Sequence, residues 1–152
     1  MHSDCDRLNR KIDLVLTNAA PMTNDELRAE LAKYVCILSS GFIEASCRRI
    51  IHRYASTRCQ KPVLSYVVQN VDRLRSPNTT KILELIGAFD KEKSIEVERS
   101  LDEKQKTAVD SIIAIRHLIA HGRNSGISLA TIKDYHDRAQ NFIVNVERLL
   151  CD

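Results

Sequence analysis

Residues 24–57 read NDELRAELAKYVCILSSGFIEASCRRIIHRYAST, and this stretch decides the fold class. Leu27, Leu31, Tyr34, Val35, Leu38, Phe42 and Ala45 recur every three or four residues, the spacing of one apolar helix face. No proline interrupts the run. Thr23 is a candidate N-cap, and Glu26 three residues on completes a capping box. The spacing predicts one long helix over about 24–57. A secondary stripe carries Ile37, Gly41, Glu44 and Ile51, and Gly41 is expected to let another helix approach closely.

Working outward, Leu8, Ile12, Val15 and Leu16 predict an amphipathic helix over 6–18, ended by Pro21. Pro62 opens a third helix over 62–74, with Val63, Tyr66, Val67, Val71 and Leu74 on one side. Ser76-Pro77-Asn78 is a turn, and Ile82, Leu85, Ile86 and Phe89 mark a helix over about 79–90. Residues 90–106 are polar and mixed in charge and read as a loop entering a helix near Leu101. That helix runs to about 121, where Gly122 suits the left-handed C′ position. GRNSG (122–126) is a loop. Ser128 caps a last helix over about 129–150, striped by Leu129, Ile132, Ala139, Ile143, Val146 and Leu150. The expectation is an all-α, single-domain bundle of five to six helices over 1–152, with its core in about 23–150.

Composition agrees. Four glycines and three prolines in 152 residues fall well below the roughly eighteen of average usage, which argues against a turn-rich β sandwich or barrel. The net charge of +3 excludes a polybasic protein, so partners must be sought in local clusters. The N-terminal residues lack the apolar stretch and cleavage site of a signal peptide, and no apolar run approaches a membrane span. Five cysteines, at 5, 36, 47, 59 and 151, form no C-x2-C pair. They read as reduced thiols of a cytoplasmic protein, with Cys36 and Cys47 as core filler.

The informative chemistry closes the fifth predicted helix: Arg116-His117-Leu118-Ile119-Ala120-His121-Gly122. With Val109 at zero on a helical wheel, Ile112 falls at about 300°, Ile113 at about 40°, Ile119 at about 280° and Ala120 at about 20°. Arg116, at about 340°, sits in the middle of that apolar face. A guanidinium there costs free energy unless it meets a carboxylate or a phosphate. The plain alternative is an arginine that snorkels out along its own stem. His117 and His121, four apart, share the edge of the face, and His121 meets the negative end of the helix dipole. H-x3-H also fits two zinc ligands on one turn. The H-E-x-x-H form is absent, however, and no cysteine pair completes a site, so no metal is expected.

RHLIAHG resembles the R-x4-H signature of the HEPN superfamily, a set of small all-α domains in which this motif closes a helix and a further helix follows. The residue after the arginine is usually polar there, and His117 fits. Glu44 in SGFIEASCRR, RHLIAHGRN and the final amphipathic helix together resemble the RiboL-PSP-type HEPN branch over roughly 23–150. The resemblance implies a metal-independent endoribonuclease without cofactor, often a toxin or antiviral effector, whose homodimer brings two motifs to one cleft. It implies Arg116 and His121 as the catalytic pair, His117 as polar partner and Glu44 as a supporting carboxylate. The partners implied are RNA, a second copy and, in a toxin setting, an antitoxin protein. The alternative it implies is a catalytically silent module for RNA or nucleotide binding or for dimerisation.

The side chains suit RNA cleavage. The ribose 2′-OH is the nucleophile, imidazole serves as base or acid near neutral pH, and arginine donates bidentately to phosphate oxygens. The products expected are a 2′,3′-cyclic phosphate and a 5′-hydroxyl. Glu44 has two candidate partners, Arg116 and, at i+4, Arg48. Within 44–61, Arg48, Arg49, Arg53, Arg58 and Lys61 stand against Glu44 alone. This is either a phosphate-tracking ridge beside the cleft, with Tyr54 stacking a base, or a solvated helix face. Arg123 is a further RNA-binding candidate, and with Lys133 and Arg138 it marks the other path for RNA if the ridge is only surface. His52 belongs either to that ridge or to the surface. His136, at the border of the last stripe, reads as packing.

Overall fold

A computed structural model describes residues 3–152. Among them the chain forms α1 (Asp4–Ala19), α2 (Asp25–Ser56), α3 (Lys61–Val71), α4 (Thr79–Phe89), α5 (Lys91–Ser100), α6 (Glu103–Ala120) and α7 (Leu129–Cys151), and no strand. The all-α reading holds, but the helices number seven rather than five or six. The additional one is α5, which lies where a polar loop was expected. Its sequence hides it because Val97 is its one buried residue. Caps define it instead. The Asp90 side chain accepts from the Lys93 amide at 3.0 Å, and Leu101 then turns extended and buries its side chain. Asp102 and Gln105 restart the chain as α6 through a reciprocal capping box, which satisfies amides that a helix start leaves unpaired.

The spine is α2, whose 32 residues span about 48 Å. α1, α3, α6 and α7 all pack on it. Ala32, Val35, Cys36, Ile43, Cys47 and Ile50 are buried along its core-facing side. Leu27, placed on the apolar stripe, is 46% exposed at the first turn. The N-cap of α2 is Asn24, accepting from the Leu27 amide at 3.0 Å, one residue beyond the expected Thr23. A Cβ on Gly41 would meet Leu8 Cδ1 at 3.8 Å, an ordinary contact, so the α1–α2 approach does not require glycine.

One hydrophobic core draws on α1, α2, α4, α5, α6 and α7. Cys36 and Cys47 lie within it, and burial pushes each thiol up to about 12. His136 is also buried. Its Nε2 donates to Asn9 Oδ1 at 3.0 Å, its ring meets Phe42 edge-on, and desolvation lowers its pKa to about 4. No helix among the described residues is long and apolar enough to cross a membrane.

Candidate functional site

The first half of α6 is core: Ala108, Val109 and Ile112 are buried. The second half is not. Ile113, Ile115, Arg116, Leu118 and Ile119 are half-buried, and His117, Ala120 and His121 are exposed. Arg116 therefore rises from the apolar face at the point where its own chain stops covering it. Among the described residues its side chain forms no ion pair or hydrogen bond. Its field reaches the Cys36 thiol, where it opposes the larger effect of burial.

The end of α6 is set by its cap. His121 is the C-cap, and Gly122 follows with φ +67°. The Gly122 amide donates to Ile119 O at 3.0 Å and the Arg123 amide to Leu118 O at 2.9 Å. This is a Schellman closure, which needs a left-handed residue at C′. It fixes His121 at the helix end one turn from His117. The two imidazoles meet edge to face, with centroids 4.4 Å apart. The end of α6 thus carries a half-buried guanidinium and two exposed imidazoles that touch each other.

Beside them runs a groove of about 630 Å³. Asp110, Arg116 and His117 of α6 line one wall, and Arg75, Ser76 and Asn78 of the α3–α4 turn, with Lys81 in the first turn of α4, line the other. His121 lies beyond its lining. Two carboxylates hold the walls in place. Asp110 Oδ1 accepts from the Thr79 amide at 2.8 Å, tying α6 to the start of α4. Glu44 Oε2 accepts from the Ser76 amide at 2.7 Å, tying the turn to α2. Ser76 has φ +41°, a region that side chains other than glycine seldom adopt, so this amide contact supports a strained residue.

The remaining predicted site residues fall elsewhere. Glu44 does not pair with Arg116. Its Oε1 takes Arg48 Nη2 at 2.8 Å, and the same Arg48 nitrogen donates to Leu74 O. The i+4 partner wins because Glu44 faces the α3–α4 turn. Arg48 Nε is buried, so Arg48 is an internal tie and not part of a surface ridge. Arg49 and Arg53 both reach Glu147 of α7, at 2.9 and 3.4 Å. Tyr54 is buried, with its hydroxyl on the Asp90 carboxylate and the Arg58 guanidinium 3.9 Å over its ring. It offers no face to a base. His52 is exposed, as is Arg123 beside the cap. Arg75, Lys81 and Asp110 were missed by sequence reasoning. A turn motif predicts a turn but not which helix end it will face. Among the described residues no group of three or more His, Cys, Asp or Glu side chains is placed to hold a metal ion.

A family model described as RiboL-PSP-HEPN matches residues 3–152. No curated protein and no solved structure gives a match.

Proposed function

The chain belongs to the RiboL-PSP-HEPN family, and from that premise we propose that it is a metal-independent endoribonuclease acting as a homodimer, in a toxin or antiviral setting. The observation that carries the reading is Arg116: a half-buried guanidinium with no carboxylate partner among the described residues, in the same closing stretch of α6 as two exposed imidazoles, His117 next to it in sequence and His121 five residues on. A cation so placed favours an anionic ligand. A phosphodiester supplies one and leaves the imidazoles beside the reacting atoms.

In the proposed reaction the ribose 2′-oxygen attacks phosphorus and loses its proton to one imidazole. The bond to the 5′-oxygen breaks, and a second imidazole protonates that oxygen. Arg116 donates to the phosphate oxygens while charge builds on them. The products are a 2′,3′-cyclic phosphate and a 5′-hydroxyl, and protons balance between base and acid. His121 and Arg116 from two copies provide both imidazoles and two guanidinium groups around one phosphate. His117, in contact with His121, orients it. The incompletely covered apolar side chains at the end of α6 suit a symmetric contact with a second copy. Five free thiols suit a reducing, cytoplasmic setting. An antitoxin partner, in a toxin setting, would cover the same end of α6.

The test is cleavage of single-stranded RNA by purified protein in EDTA, with the ends identified by mass. Cyclic phosphate and 5′-hydroxyl ends, absent with Arg116→Ala, are expected. RNA bound but uncut by the wild type would leave an RNA-binding module instead.

A further inference from the structure

We propose that the α3–α4 turn and the first turn of α4 form a second substrate wall, with Arg75 and Lys81 holding RNA phosphates next to the one that reacts. The proposal rests on the ribonuclease reading and adds to it a path for the strand. Three basic side chains, Arg75, Lys81 and Arg116, line the groove against one carboxylate, Asp110. That carboxylate is already engaged with the Thr79 amide. Lys81 is exposed and forms no ion pair among the described residues. Arg75 Nη1 donates to Asp72 O and Leu74 O, which steadies the guanidinium at the rim and leaves its other nitrogens for a ligand. The groove thus carries an uncompensated positive field leading to Arg116 and His117. Arg48, Arg49 and Arg53 of α2 differ, since each meets a carboxylate of its own chain.

Glu44 is the positioning residue of this wall. It touches neither Arg116 nor the groove lining beyond Ser76, but it holds the Ser76 amide and, through Arg48, the Leu74 carbonyl. These contacts bracket Arg75 on both sides and fix where its side chain leaves the chain.

The experiment measures binding of a fluorescein-labelled 12-nucleotide single-stranded RNA across a potassium chloride series, alongside cleavage of the same RNA. Arg75→Ala/Lys81→Ala is expected to weaken binding about tenfold and to flatten the log–log salt slope by roughly 1.4, about 0.7 for each phosphate no longer neutralised. Its kcat should stay within about twofold, because the reacting phosphate still meets Arg116. Glu44→Ala should raise KM in the same way and add little to the double variant. Glu44→Gln should recover KM in part, since its amide oxygen still accepts from Ser76 while its amide nitrogen can no longer accept from Arg48. Thermal melting checks that each variant folds. An unchanged slope in a folded double variant that still cuts RNA overturns the second wall and leaves the ribonuclease reading intact. Wild-type protein that binds RNA without cutting overturns the ribonuclease reading, while the slope still decides the wall. Wild-type protein that neither binds nor cuts overturns both.

Discussion

At the scale of single residues, the two ends of the chemistry differ in how safely they can be removed. His121 is exposed at a helix end, so His121→Ala leaves no cavity and should alter stability by no more than about 0.5 kcal/mol. Cleavage should nonetheless disappear. A variant that melts like the wild type and cuts at the wild-type rate would remove His121 from the mechanism. His136 behaves oppositely. Desolvation holds it neutral down to about pH 4, against an ordinary value of 6.5, with Asp137 and Asp13 opposing weakly and Lys133 assisting. Its contribution is complete above pH 6.5 and is lost as pH falls toward 4, because the unfolded state then binds the proton first. The loss amounts to roughly 3 kcal/mol at most. Urea unfolding at pH 7, 5.5 and 4 should show it in the wild type and a much weaker slope in His136→Leu. Arg116 was legible in sequence because a wheel needs only local spacing. The partner of Glu44 was not, since two arginines satisfied the same charge rule and only the course of the α3–α4 turn chose between them.

Among the elements, α6 depends most visibly on its termini. Gly122 holds φ +67° with open space around a would-be Cβ. Gly122→Ala therefore carries a conformational cost alone, about 1–2 kcal/mol. Because the strain sits one residue after His121, cleavage should fall by more than the loss of folded protein explains. Activity per folded molecule equal to the wild type would show that the cap serves stability only. Helices with continuous stripes, such as α2 and α7, were readable from periodicity. The helix α5 was not, because one buried valine makes no stripe. The pairs Asp90–Lys93 and Asp102–Gln105 were its available signal, and capping signals in a polar stretch are short and common.

For the whole molecule, the arginines of α2 separate charge that binds the chain to itself from charge that faces outward. Arg49 and Arg53 share Glu147 across the α2–α7 contact. These pairs are exposed enough that each contributes only about 0–1 kcal/mol. Arg49→Ala/Arg53→Ala should lower the melting temperature slightly and leave the salt dependence of RNA binding near the wild-type value. A slope reduced by about 1.4 would instead restore the α2 ridge as a phosphate track. Sedimentation at micromolar concentration should give a dimer. A strictly monomeric protein that still cuts RNA would rule out a shared site.

The helix α3 has a different consequence, one of timescale. It lacks a side-chain cap at Gln60, buries only Val71, leaves Val63 and Tyr66 exposed, and contributes nothing to the central core. Its hydrogen bonds can therefore open without the rest of the molecule unfolding. Opening would begin at Gln60 and stop at Leu74, where Arg48 grips the carbonyl. Amide deuteration should then run as a gradient, fastest at residues 64–68 and slow beyond Ile82. An edge that opens first would loosen the Asp72 carbonyl, one of the two that hold Arg75, while Leu74 and Ser76 stay fastened.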